Sequence, residues 1–186
     1  MQKSLVAWLL TAVMISGAAC AGGFDAEKER AEVVRVINTS IKWCFPDKSR
    51  ERLYGSVIND STFFMFQPDS RSTVKGIDGY REFAERVFMP DACQPKGSTI
   101  KELRVVFSRS GDVAWFSCLL DDWGEWNGNP WFWKDTRWTG VLEKIDGKWL
   151  VMQQHFSSAE DAVRAEVIEE LKAAAEKDEP ASGGQE

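Results

Sequence analysis

Apolar spacing predicts helices in the first half of the chain and strands in the second. From Ala26 to Trp43, the residues Val33, Ile37, Ile41 and Cys44 recur at helical intervals, with Asp25 placed as an N-cap and Pro46-Asp47 as a breaker. A short helical piece over Ser49 to Tyr54 is closed by Gly55. Ser61 to Gln67 is rich in phenylalanine and reads as a strand, turning at Pro68-Asp69-Ser70 into a second short strand that ends near Gly76. Tyr80, Phe83, Ala84, Val87 and Phe88 then form one helical stripe, stopped by Pro90.

Beyond that point the pattern belongs to strands. Ile100 to Ser108 and Asp112 to Trp123 are joined by the turn Arg109-Ser110-Gly111. A looser connection, Gly124 to Pro130, leads into Trp131 to Lys144. The turn Ile145-Asp146-Gly147 then leads into Lys148 to Ser157. Links this short imply antiparallel pairing. In the last strand Trp149 and Val151 share one parity, and Leu150, Met152 and Phe156 the other, so both faces are apolar. Helices can cover one face; a second subunit is the economical cover for the other, and a homodimer is expected.

The two ends read differently. Residues 1–21 have the form of a signal peptide: Lys3 gives a positive start, and Leu5 to Ile15 is apolar but too short to span a bilayer. Ala19-Cys20-Ala21 fits a cleavage site that releases a periplasmic or secreted product. Gly17-Ala18-Ala19-Cys20 equally resembles a lipobox, which would lipidate Cys20 and leave a membrane-anchored lipoprotein. The folded domain is expected over 25–158. A charged helix over 159–178 carries the narrow stripe Val163, Val167, Ile168 and Leu171, and 179–186 reads as a disordered tail.

Composition narrows the function. The net charge of -6 leaves no basic footprint for nucleic acid. Nine tryptophans and eleven phenylalanines demand either a bulky core or an aromatic-lined cavity. The run Trp123, Trp126, Trp131, Trp133 and Trp138 admits both readings: stacking on a ring-shaped ligand, or packing in the core and dimer. One histidine and scattered cysteines argue against a zinc site, and no cofactor-binding loop is present, so neither metal nor cofactor is expected. In an exported protein Cys44 and Cys93, each near the end of a predicted helix, are the candidate disulfide. Cys118, inside an apolar strand, is expected to be a buried free thiol.

Several segments together resemble the nuclear transport factor 2-like superfamily, in its SnoaL-like branch. They are Thr62 to Ser70, Gly111 to Ser117, Arg137 to Lys144, and Asp146-Gly147-Lys148-Trp149 through His155-Phe156-Ser157, in the order helix, short helix, hairpin, helix, meander. The resemblance implies an α+β fold in which a curved, mostly antiparallel sheet wraps the N-terminal helices into a cone with a central pocket. It also implies dimers through the outer sheet face. Ketosteroid isomerases of this superfamily use an aspartate base and a carboxylic acid donor. Neither has a counterpart near Phe64-Met65-Phe66 or Trp138-Thr139-Gly140.

Strict alternation puts His155 on the parity of Trp149 and Val151, and the resemblance turns that face toward the cone. His155 is therefore the candidate general base, Trp43 and Trp115 are candidate walls, and Arg137 is a candidate anion anchor. The adjacent Asp121 and Asp122 have opposite parity, so only one can face the pocket; Asp121 is the candidate ligand contact. The function expected first is binding of a small apolar or aromatic molecule. An isomerase, cyclase or dehydratase using His155 is the alternative, and a dimeric interaction module is the third reading.

Overall fold

A computed structural model describes residues 24–68 and 73–158. The signal segment, Cys20, the C-terminal helix and the tail lie outside the described residues. Three helices come early: α1 (Ala26–Lys42), α2 (Arg50–Gly55) and α3 (Gly76–Val87). The strands β1 (Phe64–Phe66) and β2 (Thr73–Lys75) precede α3. Four long strands follow it: β3 (Cys93–Phe107), β4 (Val113–Trp126), β5 (Asn129–Ile145) and β6 (Lys148–Ser157). They form one curved sheet in the order β2-β1-β6-β5-β4-β3. The expected α+β cone is present. One pairing departs from the antiparallel rule: β1 runs parallel to β6, because a whole helix and four strands separate them and leave length for a crossover.

Local sequence explains the helix ends. The Asp25 side chain accepts from the amide of Lys28, and that of Ser49 accepts from the amide of Arg52, satisfying donors that the first turns leave free. α1 turns Val33, Val36, Ile37 and Ser40 inward, against the concave face at β6 and β3. A single carboxylate fixes its start. Glu29 accepts from Lys144 Nζ and from Trp149 Nε1, each at 2.6 Å, so the helix is tied to the β5–β6 hairpin. The bond from Lys144, and after it that from Trp149, holds this carboxyl below its ordinary range. On the other side, Arg50 grips Glu85 through two 2.6 Å bonds that join α2 to α3.

Trp138 is the hub of the core. It is fully buried, stacks on Phe156 at 5.4 Å and meets Phe116 edge-on at 4.9 Å. Cys118, beside it, is a buried free thiol whose Sγ donates to the Trp138 carbonyl oxygen.

The meander differs from its expected form in two ways. Gly124 to Pro130 is not a loose connection: β4 and β5 pair as far as Trp126 and Asn129, and only Asn127-Gly128 turns. Both turn residues have positive φ, 49° and 79°, as a type I′ hairpin requires. β3 likewise begins at Cys93, seven residues before its predicted start, because it pairs with this extended β4. The hairpin ends therefore project past the part of the sheet that the α1 core covers.

The second difference is in register. Leu120 faces Thr136, but Asp122 faces Trp133, so Asp121 stands opposite both Lys134 and Asp135. Asp135 has φ 50°, and the pattern is a β-bulge in β5. Another register shift lies in β6, where Val141 faces Gln153 and Leu142 faces Val151, leaving Met152 as the extra residue. Each shift reverses which side chains point inward.

Replacing Trp138 with alanine should lower unfolding stability by ~3–5 kcal/mol, the cost of emptying a large buried aromatic site. Equilibrium urea unfolding measures it; a loss below about 1 kcal/mol would mean that the ring is not a packing hub.

Candidate functional site

A cavity of about 260 Å³ opens between the projecting hairpin and the ends of α1 and α3. Its size falls just below the ~300–1,000 Å³ of sites for drug-sized ligands, so it suits a small molecule. Trp126, Trp131 and Trp133 come from the hairpin, Trp43 from the exit of α1, Phe88 from the exit of α3 and Phe156 from β6. Trp131 and Trp133 lie 6.3 Å apart at 58°, Trp133 meets Phe156 at 6.0 Å, and Trp43 meets Phe88 at 5.6 Å.

The bulge in β5 puts the indoles there. Trp138 and Thr136 point inward on one parity. Strict alternation would then send residues 131 and 133 outward, but the extra residue at Lys134–Asp135 turns both into the cavity. The bulge is held by charge. Lys101 Nζ donates to both oxygens of Asp121, at 2.7 and 2.8 Å, and also to Asp135, while the amide of Asp135 donates to Asp121 Oδ1 at 2.9 Å. That amide bond first, and Lys101 second, keep the Asp121 carboxyl below its ordinary range.

A glycine makes room for one of these rings. A Cβ on Gly124, directly opposite Trp131, would stand 2.7 Å from the indole and 2.5 Å from the carbonyl oxygen of Gln94. Only glycine lets Trp131 lie down on β4.

Two polar side chains stand out in this wall. Asp122 is carried inward on the parity of Leu120, and Gln154 is inward because of the shift at Met152. The amide of Gln154 donates to Met65 Sδ, and its Oε1 has no partner among the described residues. Burial pushes the Asp122 carboxyl up to about 7, only partly offset by a bond from the Trp123 backbone. Cys44 and Cys93 complete this end. Burial pushes Cys44 up to about 12 and raises Cys93, so both stay as unreactive thiols near neutral pH.

The structure redistributes the residues singled out from sequence. Trp43 lines the cavity. His155 does not: the extra residue at Met152 turns it to the exposed outer face, where its ring meets Phe66 at 5.5 Å. Trp115, 46% exposed, and Arg137 also point outward, on the parity opposite to Phe116 and Trp138. Asp121 is occupied in the bulge, and its neighbour Asp122 is the pocket acid. Parity relative to Leu120 and Cys118 was the signal in the sequence that could have chosen between the two aspartates. Cys44 and Cys93 share the cavity wall but are free thiols, not a disulfide. Among the described residues, no group of three or more His, Cys, Asp or Glu is arranged to hold a metal, and no helix is long and apolar enough to cross a membrane.

Comparison with known proteins agrees with this geometry. The family model described as a SnoaL-like domain matches residues 51–161. The chain belongs to the SnoaL-like domain family. Among solved structures, this SnoaL-like domain is similar to a candidate aromatic ring hydroxylase from Novosphingobium aromaticivorans, with a TM-score of 0.60 and 12% identity over 71% of this chain and 90% of that one. It is also similar to a nuclear transport factor 2-like protein of unknown function from Prochlorococcus, with a TM-score of 0.54 and 16% identity over 72% and 97%. A third similar structure is the CaMKII hub homology domain of Chlamydomonas reinhardtii, with a TM-score of 0.54 and 23% identity over 70% and 98%. At these identities the likeness establishes the nuclear transport factor 2-like fold. A search of curated protein sequences gave no significant match.

Asp122 gives the SnoaL-like domain a pH signature. Its folded pKa lies above its unfolded value of 3.8, so the fold favours the protonated acid, and stability is lost as pH rises from about 4 to about 7. Asp122→Asn should therefore be more stable than wild type at pH 8, by roughly 3–4 kcal/mol, with the difference shrinking toward zero at pH 4. Urea unfolding of both proteins across this range checks it; a difference independent of pH would contradict the assignment.

Proposed function

We propose that this SnoaL-like domain binds a small, largely apolar aromatic molecule in the cavity at the hairpin end. The observation that carries the reading is the wall itself: four indoles and two phenyl rings surround a space of about 260 Å³ and leave few polar groups to fix orientation. Family membership is compatible with this, since SnoaL-like domains have the nuclear transport factor 2-like cone. A second reading, acid–base chemistry on a bound molecule, is favoured only by Asp122, whose carboxyl titrates near neutrality. His155, exposed on the outer face, supports neither reading.

Two properties of the whole protein accompany the proposal. The apolar run Leu5 to Ile15 and the small residues after it support export, with a mature N-terminus at Cys20 or Gly22. Exposed Phe66, Val106 and Trp115 on the outer sheet face support a homodimer through that face. Intact-mass analysis of protein from the native host should show the shortened chain, with added acyl mass if Cys20 is lipidated. Light scattering should give twice the chain mass; an uncut chain or a micromolar monomer would refute the respective statement.

Binding is tested with 2-naphthol as a neutral aromatic probe. Saturable quenching of tryptophan fluorescence is expected, with affinity lowered about three- to tenfold in Trp133→Ala, the scale of one lost aromatic pair. His155→Gln should leave the titration unchanged. No saturation in wild type, or equal loss in both variants, would sink the proposal.

A further inference from the structure

The polar chemistry of the cavity is one-sided. Asp122 offers a carboxyl, Gln154 offers an Oε1 with no partner among the described residues, and apart from Ser40 and Gln67 the remaining wall is apolar or aromatic. Indole is the best neutral side chain for attracting a cation. Among the described residues no positive side chain answers Asp122: desolvation and one backbone bond account for its shift, without a charged neighbour. Lys101 is engaged by Asp121 and Asp135, on the other side of the sheet. Lys48 sits behind Cys44 and Cys93 and is spent on the carbonyl oxygens of Met89 and Pro90, at 3.2 and 2.6 Å. A buried carboxyl without a counter-charge is costly to ionise, and that cost is removed when a bound molecule brings the charge.

We infer that the molecule held in this cavity is a small organic ammonium cation, enclosed by Trp43, Trp126, Trp131 and Trp133 and paired with Asp122. The inference rests on the reading of the cavity as a ligand site and goes further by naming the ligand's chemical class. An aromatic or alkyl ammonium fits each part of the wall: its carbon skeleton replaces water against the rings, its charge lies near the indoles, and its positive end neutralises Asp122. An anion would meet no positive group among the described residues of the wall. The other titratable groups among the described residues of the wall are the thiols of Cys44, from the end of α1, and Cys93, at the start of β3, and the phenol of Tyr80 in α3. All three are held neutral by burial, so the pH response of the cavity near neutrality belongs to Asp122. Its carboxyl must be ionised to pair with a cation, so affinity for a permanently charged ligand rises as pH climbs through about 7.

The probes are trimethylphenylammonium, which carries a charge at every pH, and its neutral isostere tert-butylbenzene. Both are titrated into the full chain by calorimetry and tryptophan fluorescence from pH 5.5 to 8.5. At pH 8.5 the cation should bind at least about tenfold more tightly than the isostere, and its affinity should fall about tenfold or more by pH 5.5, as expected when a carboxyl titrating near 7 is protonated. The isostere's affinity should stay flat. Asp122→Asn, with folding verified by near-ultraviolet circular dichroism, should remove the pH dependence and bring the cation's affinity at pH 8.5 down at least about tenfold. If the isostere binds as well as the cation, or if cation binding does not change with pH in wild type, the ammonium assignment is overturned while the cavity remains a ligand site. If neither probe binds at millimolar concentration, the assignment and the underlying reading fall together.

Discussion

The cavity depends on a cluster of three charges on the side of the sheet away from it. Lys101 and Asp121, on neighbouring strands, close around Asp135 and stabilise a backbone with one residue more on β5 than on β4. Without that residue β5 would present its two cavity-lining indoles to solvent, and the space beside Asp122 would lose a wall. The ions are partly exposed, so their net contribution to stability is modest. Their importance is in register: a half-step in the pleat decides which side of a seventeen-residue strand is which.

The rest of the molecule is organised around this decision. The helix side supplies a close-packed centre, with Trp138, Phe116 and Phe156 in contact and Glu29 anchoring α1 to the last hairpin. The strands then continue beyond that centre, and the continuation is where packing is incomplete. Gly124 gives up its side chain so that Trp131 can lie flat, Gln154 is buried with its Oε1 unpartnered among the described residues, and Asp122 is half-buried in the cavity wall. Incomplete packing and the cavity lining occur at the same residues.

The sequence was a good guide wherever one period ran unbroken. The stripes of α1 and α3, the cap at Asp25, and the bounds of β6 all followed from spacing and turn chemistry. The bulges were not visible, because an inserted residue such as Met152 or Asp135 looks like any other strand residue until its partner strand is known. That is why alternation counted from Trp149 carried His155 to the wrong face and Asp122 was passed over for Asp121. Asn127-Gly128 is a different matter: that dipeptide is a strong hairpin signal, and it alone would have extended both strands to the tip and brought the tryptophans opposite one another.

The hairpin's overhang has a consequence for how such a molecule can change. The indoles of Trp126 and Trp131 belong to the cantilevered ends of β4 and β5, whereas Trp138 belongs to the buried root. Substitutions at the free end can reshape the chamber while the root keeps its packing, much as a tool accepts different bits on one handle. Diversification of the chamber and preservation of the fold are thus assigned to separate stretches of the same two strands.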